Sequence, residues 1–233
     1  MNTSVGALAE LLARCPHVLL DFDGPICAVF GGTTDRAIAD QLRANLPGLP
    51  DHVVASSDPF DVLRHAATLG PEILDEVAHE FTRLEVQAVA TATPTPGATE
   101  AIAKLCAAGH TITIVSNNST VAVETYLRGH DLAAFVGGVS ARTSSDPDLL
   151  KPNPYLVDRA IRVTGATPSG CVLLGDSPTD IIAGHAAGTA VVAYANKPGK
   201  YDRLSVLGPD IIIDTMFALT RAICAVVRPP CQA

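Results

Sequence analysis

The sequence predicts an α/β protein: a doubly wound parallel sheet with a small all-helical insertion. Short apolar runs recur along the 233 residues, and helical patterns separate most of them. After the first run, roughly 65 residues hold helical patterns alone. Apolar residues make up 48% of the chain and charged residues 17%, a balance typical of folded domains. The length suffices for one core with a small accessory domain.

The apolar runs are the predicted strands. A strand buried on both faces of a parallel sheet reads as a continuous apolar segment, whereas a half-exposed strand alternates. By this criterion we assign strands to residues 17–20, 111–115, 171–174, 190–193 and 211–213.

Helical patterns separate most of these runs. Residues 97–108 place their apolar side chains on one face, and Gly109 follows as a stop signal. Ser177-Pro178 can cap and start another helix, which we end near Gly188. Strands that alternate with helices in this way favour a parallel sheet with helices on its faces.

The insertion contains no predicted strand between about residues 27 and 93. Three helical patterns occur there, and prolines stand at the starts of two, where a missing N–H costs nothing. The predicted helices cover residues 34–45, 58–70 and 71 to at least 88.

These patterns predict two domains. Residues 1–27 and 94–233 form the α/β core, and residues 28–93 form a helical cap. Pro94 and Pro96 make the return to the core a stiff tether.

Composition excludes several classes of partner. A net charge of −8 and a pI near 5.2 disfavour nucleic acid binding, which needs an excess of Lys and Arg. No apolar run is long enough to span a bilayer, and the N-terminus does not resemble an export signal. Six cysteines without a C-x-x-C pair indicate reduced thiols and a cytoplasmic location: Cys15, Cys27, Cys106, Cys171, Cys224 and Cys231.

Polar residues follow three of the predicted strands. In open α/β sheets, ligands bind at the carboxyl ends of strands, near the point where strand order reverses. Side chains from several strand ends can therefore meet. The candidate site residues are Asp21, Asp23, Ser116, Asn117, Lys151, Asp176 and Asp180.

This set of side chains favours phosphoryl chemistry. Clustered carboxylates repel one another unless a cation neutralises them, and oxygen ligands without His or Cys suit Mg²⁺. A hydroxyl, an amide and an ammonium group near that ion can hold phosphoryl oxygens. One carboxylate can act as nucleophile, and a second can protonate the leaving oxygen and later deprotonate water.

Four motifs resemble those of the haloacid dehalogenase-like phosphatases in order and rough spacing. The helical insertion, and the Pro94-x-Pro96-Gly97 segment after it, look like the phosphoglycolate phosphatase-like branch. The resemblance covers essentially the whole chain. The motifs are Asp21-Phe22-Asp23-Gly24, Ser116-Asn117, Lys151-Pro152 and Gly175-Asp176-Ser177-x-x-Asp180.

The resemblance implies a role for each matching residue. Asp21 is expected to be the nucleophile and a Mg²⁺ ligand. Asp23 is expected to be the general acid and base, with its backbone carbonyl on the metal. Asp176 is expected to bind Mg²⁺ directly, and Asp180 to support the metal site from behind its direct ligands.

The remaining roles concern the phosphate. The resemblance implies that Ser116 and Asn117 hold the transferring phosphoryl group, and that Lys151 neutralises charge on the nucleophile and the phosphate. Pro25 departs from the family, which usually has Thr at this position. Because proline has no N–H, the departure puts the hydrogen bonding of this loop in question.

The expected function is a Mg²⁺-dependent phosphatase acting on a small phosphorylated metabolite, as a monomer or homodimer. A phosphosugar mutase of the same family stays open, although its Ser-x-Ser-Lys run reads Ser116-Asn117-Asn118-Ser119 here. A dehalogenase is disfavoured, because a halide needs no proton from Asp23. A receiver-like domain and a non-catalytic protein that binds phosphorylated metabolites are the alternatives from other classes.

The predicted cap is acidic. Residues 28–93 hold ten Asp or Glu, four Arg and no Lys. An acidic lid would favour a neutral or cationic leaving group, and the alternative is that these acids only face solvent. We expect cap side chains, including the loop of residues 31–34, to set selectivity.

Overall fold

Eight strands occur within residues 3–44 and 46–227, the part of the chain that the computed structural model describes. In chain order they are β1 (His17–Leu20), β2 (Cys27–Ala28), β3 (Thr93–Pro94), β4 (Thr111–Ser119), β5 (Gly138–Arg142), β6 (Cys171–Gly175), β7 (Ala190–Tyr194) and β8 (Ile211–Ile213).

Six of these strands form one parallel sheet, in the order β5-β4-β1-β6-β7-β8. The chain builds β4 and β5 on one side of β1 and then crosses to build β6, β7 and β8 on the other. The reversal of strand order therefore lies beside β1, where doubly wound folds bind ligands. The predicted fold class is confirmed.

All five predicted strands are present, and β5 was missed. Its sequence, GVSAR, begins with glycine and carries Ser140 and Arg142 among few apolar residues. It is an edge strand whose first two residues are only partly buried. An edge strand of this composition lacks the continuous apolar run that identified the others.

Helices flank the sheet and fill the insertion. In chain order they are α1 (Thr3–Arg14), α2 (Asp35–Arg43), α3 (Asp51–Ala55), α4 (Pro59–Leu69), α5 (Pro71–Val89), α6 (Ala98–Ala107), α7 (Thr120–Gly129), α8 (Tyr155–Thr164), α9 (Pro178–Ala186), α10 (Lys200–Ser205) and α11 (Phe217–Val227).

Three helices of the insertion, α2, α4 and α5, begin within one residue of their predicted starts. The short α3 was missed. Thr34 caps α2 by accepting a hydrogen bond from the Ala37 N–H, and Asp58 caps α4 through the Phe60 N–H. Phe60 of α4 packs edge-on against Phe81 of α5, with ring centroids 5.1 Å apart. The predicted end of the first helix, residue 45, lies outside the described residues.

A two-residue antiparallel ladder closes the neck of the insertion. Cys27 pairs with Pro94, and Ala28 pairs with Thr93. The sequence predicted no strand from about residue 27 to 93, so this ladder corrects both ends of that range. Two residues are too few to show a strand pattern. The division into a core and a cap at residues 28–93 stays a prediction.

No helix in the described ranges is both long and apolar enough to cross a membrane. The thiols of Cys15, Cys27 and Cys171 are buried, those of Cys106 and Cys224 are exposed, and all five are free. Cys231 lies outside the described residues.

The core depends on the packing of β1, the central strand. Leu19 is fully buried between β4 and β6. Leu19→Ala should lower the free energy of unfolding by about 2–5 kcal/mol, because it opens a cavity that the neighbouring strands cannot close. Val163→Ala, at an exposed position of α8, should change it by less than about 0.5 kcal/mol. Denaturant unfolding measures both; similar values for the two variants would contradict this packing.

Candidate active site

The predicted site residues meet at the reversal of strand order. Asp21 directly follows β1, Asp176 directly follows β6, and Ser116 lies near the end of β4. They line one cavity of about 250 Å³. Its lining is Asp21, Asp23, Asp58, Phe60, Arg64, Ser116, Asn117, Asn118, Lys151, Asp176, Ser177 and Thr179.

Lys151 is the buried cation at the floor of this cavity. Its Nζ lies 2.7 Å from Asp21 Oδ1, 2.5 Å from Asp180 Oδ1 and 2.9 Å from the carbonyl oxygen of Val115. Burial alone would lower its pKa, but the carboxylates of Asp180 and Asp21 outweigh burial and raise it. The side chain is therefore an ammonium group at physiological pH, 2% exposed and fully hydrogen-bonded.

The two aspartates of the first motif differ in environment. Burial, and then the negative charge of Asp180, raise the pKa of Asp21, and the Lys151 ammonium opposes them. Burial raises the pKa of Asp23 to about 6, against the hydrogen bond that its Oδ1 accepts from the Val29 N–H at 2.9 Å. A carboxyl with this pKa can both give and take a proton near neutral pH.

Three carboxylates form a candidate cation site. One oxygen from each of Asp21, Asp176 and Asp180 lies within 4.8 Å of the others. Buried carboxylates this close are costly unless a cation compensates them, and an all-oxygen donor set suits Mg²⁺. Two ammonium groups also contact these carboxylates: Lys151 contacts Asp21 and Asp180, and Lys200 contacts Asp176.

Lys200 was missed by the sequence analysis. Its ammonium group, at the start of α10, forms an ion pair with the Asp176 carboxylate. A lysine at the first residue of a short helix carries no motif, so the sequence offered no signal for it.

Asp180 does not line the cavity, but it contacts two residues that do, Lys151 and Ser177. Its Oδ1 accepts from Lys151, and its Oδ2 accepts from the N–H and the hydroxyl of Ser177 at 3.0 and 2.7 Å. Ser177 in return caps α9 through the Asp180 N–H. The carboxyl carbon of Asp180 lies 2.3 Å from the position that an ideal Cβ on Gly175 would take. This contact explains the glycine in the motif.

Ser116 and Asn117 both line the cavity, and their hydrogen bonds differ. The Ser116 hydroxyl donates to Asn118 Oδ1 and accepts from the Asn118 N–H, both at 3.1 Å. The Asn117 amide accepts from the Lys151 N–H at 2.8 Å and donates to its carbonyl at 3.0 Å. Asn117 therefore fixes the backbone of Lys151, a task that the sequence did not reveal; its predicted contact with phosphate stays a prediction.

The loop with Pro25 closes without an N–H at that position. The N–H groups of Ile26 and Cys27 donate to the carbonyl of Phe22, at 3.2 and 3.3 Å. Thr95, on the chain returning from the insertion, donates its hydroxyl to the carbonyl of Gly24 at 2.5 Å. The proline thus leaves the hydrogen bonding of the loop intact.

Three residues of the insertion line the mouth of the cavity: Asp58, Phe60 and Arg64. The Arg64 guanidinium lies 2.6 Å from Asp61 Oδ1 and 3.9 Å from Asp58 Oδ2. Its positive charge is therefore balanced within α4 and the residue that caps it. The loop of residues 31–34, expected to contribute to selectivity, is absent from the cavity lining.

A family model for haloacid dehalogenase-like hydrolases matches residues 16–188. The chain belongs to this family, and it is a hydrolase by fold and by the residues that its strand ends bring together. The recognition made from the four motifs is confirmed.

Known proteins agree with this assignment. The chain is similar to hexitol phosphatase A of Escherichia coli, with 28% identity over 89% of this chain and 94% of that protein. It is 31% identical to pyrophosphatase PpaX of Bacillus cereus, over 50% of this chain and 53% of that protein.

Solved structures share the fold. A predicted phosphoglycolate phosphatase from Haemophilus somnus aligns with a TM-score of 0.66 and 20% identity. The alignment covers 92% of this chain and 99% of that chain. A haloacid dehalogenase-like family hydrolase from Deinococcus radiodurans, solved with bound phosphate and sodium, aligns with a TM-score of 0.60 and 26% identity. The alignment covers 92% of this chain and 97% of that chain.

Gly24 is required by the closeness of Asp176. Its φ is +104°, and an ideal Cβ there would lie 2.3 Å from Asp176 Oδ2. Gly24→Ala should therefore displace the carboxylate and lower kcat by about 100-fold, since misplacement of about 1 Å has this effect. Gly48→Ala is the matched control, because Gly48 has a φ of +64° and no atom within 4 Å of an ideal Cβ. Equal kcat for both variants would contradict the assignment of Asp176 to the site.

Proposed function

We propose that this protein is a Mg²⁺-dependent phosphatase that hydrolyses a small phosphorylated metabolite through an aspartyl-phosphate on Asp21. The observation that carries the proposal is the contact of the buried Lys151 ammonium with Asp21, at 2.7 Å, in a cavity also lined by Asp23 and Ser116. The proposed nucleophile, proton donor and phosphoryl-binding groups thus line one cavity.

The residues present fit a magnesium ion. Asp21 and Asp176 would hold it with their carboxylates, and Asp23 with its backbone carbonyl. When bound, Mg²⁺ supplies positive charge that offsets the negative charge developing on the phosphoryl oxygens. Asp180, occupied by Lys151 and Ser177, would support the site and not bind the ion directly.

The side chains suit a two-step hydrolysis. In the first step, a carboxylate oxygen of Asp21 bonds to phosphorus, the ester oxygen leaves, and the protonated Asp23 carboxyl gives that oxygen its proton. In the second step, Asp23 takes a proton from a water that attacks phosphorus, which releases inorganic phosphate and regenerates the Asp21 carboxylate. The pKa of Asp23, about 6, suits both directions of transfer.

Lys151, Ser116 and Asn117 would bind the phosphoryl group during both steps. The ammonium of Lys151 offsets negative charge on Asp21 and on the phosphoryl oxygens. The Asn117 backbone would complete the set of donors, joined by the Ser116 hydroxyl when its proton turns from Asn118 Oδ1 to the phosphoryl group. The Asn117 side chain is engaged by Lys151.

The mouth of the cavity favours an uncharged leaving group. Arg64 is balanced by Asp61 and Asp58, so the insertion presents no net positive charge to a second phosphate or a carboxylate. Phe60 offers an apolar surface, and Asp58 offers hydrogen-bond acceptors. We propose a phosphorylated polyol or sugar, in keeping with the relative named hexitol phosphatase A.

We also propose that the enzyme works in the cytoplasm as a monomer or homodimer. The free thiols among the described residues support a reducing compartment.

Asp21→Asn should lower kcat towards p-nitrophenyl phosphate by about 1,000-fold or more, because an amide is a poor nucleophile. Removal of metal with EDTA should abolish the activity of the unchanged protein, and added Mg²⁺ should restore it. Asp131→Asn, at an exposed position, is the control and should keep full activity. Retained turnover in Asp21→Asn, at unchanged stability, would refute the nucleophile; turnover in EDTA would refute the metal.

A substrate panel tests the leaving group. Hexitol and sugar monophosphates should exceed phosphoglycolate and pyrophosphate in kcat/KM by at least about tenfold, or about 1.4 kcal/mol of transition-state binding. The physical reason is repulsion of a second anion by the acids at the cavity mouth. A clear preference for phosphoglycolate or pyrophosphate would overturn this part of the proposal while leaving the phosphatase chemistry in place.

A further inference from the structure

One carboxylate of the insertion is buried far from solvent and bonded to the core. Glu85, on α5, is 0% exposed. Its Oε1 accepts from Asn118 Nδ2 at 3.1 Å, and its Oε2 accepts from the Ser119 N–H at 3.0 Å and from Arg142 Nη2 at 2.7 Å. Every partner of this carboxylate lies on β4 or β5, so Glu85 ties the longest helix of the insertion to the central sheet.

The same bonds reach the phosphoryl-binding end of β4. The register of β4 against β5 shifts between Ser116 and Ser119, so the two residues between them are outside the ladder. Asn118, one of these two residues, donates from its Nδ2 to Glu85 and accepts at its Oδ1 from the Ser116 hydroxyl, at 3.1 Å each. The orientation of Ser116 therefore depends on a carboxylate from the insertion.

Arg142 completes the arrangement from the other side. It is 5% exposed, and its Nε donates to the carbonyl of Asn117 at 3.2 Å. Its guanidinium also lies 4.8 Å from the ring centroid of Phe81, which packs on the Phe60 that lines the cavity. The buried ion pair thus contacts both the segment 116–119 and the aromatic pair beneath the cavity mouth.

We propose that Glu85, paired with Arg142, is a positioning residue for phosphoryl binding. Through Asn118 it holds the Ser116 hydroxyl in place. Through α5 it fixes the distance between the insertion and the cavity. Binding of the phosphoryl group and placement of the insertion are then coupled at one carboxylate. The inference rests on the proposed function in one respect: it takes Ser116 to be a phosphoryl-binding group.

The alternative is that Glu85 only neutralises a buried arginine. The two roles differ in what happens when both charges are removed. A purely neutralising Glu85 becomes dispensable once Arg142 is replaced by an uncharged residue, so activity should return with stability. A positioning Glu85 also acts through Asn118 and Ser119, so in the double variant stability returns while activity and phosphate binding stay below those of Arg142→Met alone.

The test uses the full-length protein with Mg²⁺. Glu85→Gln should lower kcat/KM for p-nitrophenyl phosphate by about 10–100-fold, the effect known for residues that orient the ligands of a metal site. Calorimetry should show weaker binding of inorganic phosphate by a similar factor. Glu76→Gln makes the same chemical change at an exposed position of the same helix and should alter neither quantity.

The double variant Glu85→Gln/Arg142→Met decides the case if the single variant does not fold. A stable double variant with a lower kcat/KM and weaker phosphate binding than Arg142→Met alone supports the inference. Values equal to those of Arg142→Met in the double variant, or wild-type values in a folded Glu85→Gln protein, overturn it. Phosphate binding needs no turnover, so the two proposals can fail separately. A wild-type protein that binds phosphate without hydrolysing esters refutes only the proposed function, and one that does neither refutes both.

Discussion

A single buried ammonium group holds the site together. Lys151 contacts Asp21 and Asp180 at 2.7 and 2.5 Å with only 2% of its side chain exposed. Without that positive charge, the carboxylates at the ends of β1 and β6 would repel one another in a medium that screens charge poorly. Its backbone is fixed in turn by Asn117, and its ammonium by the carbonyl of Val115. Acids can therefore follow β1 and β6, because Lys151, from a loop later in the chain, supplies the compensating positive charge.

The insertion is joined to the core by two different kinds of contact. At its neck, the β2–β3 ladder and the Thr95 hydroxyl tie the returning chain to the loop that follows β1. At the far side, Glu85 and Arg142 form an ion pair inside the protein. A buried pair of this kind is held in place by geometry, since either charge alone would be costly. Asn118, which bonds to Glu85, and Asp23, which precedes Gly24, both line the cavity, so its shape depends on both attachments.

The sequence predicted the parts of this protein in which residue type alone carries the signal. Asp21, Asp23 and Asp176 were found because acids directly follow apolar runs, and β1, β6 and β7 because buried strands are continuous. Lys200 and Glu85 were missed because a charged residue on a helix usually faces solvent, and only tertiary structure shows that these two do not. Glu85 had been counted among the acids of the cap, either a lid or a solvated surface, and it is neither. Pro25 put the hydrogen bonding of its loop in question, because only the structure shows that Ile26, Cys27 and Thr95 donate the bonds that close the loop.

A crystal structure with Mg²⁺ and beryllium fluoride would show both the metal ligands and the acceptor of the phosphoryl group. We expect the beryllium on a carboxylate oxygen of Asp21, one magnesium ion held by Asp21 and Asp176, and Lys200 moved away from Asp176. A beryllium group on another side chain, or a magnesium ion bound elsewhere while Lys200 keeps its ion pair, would contradict this expectation.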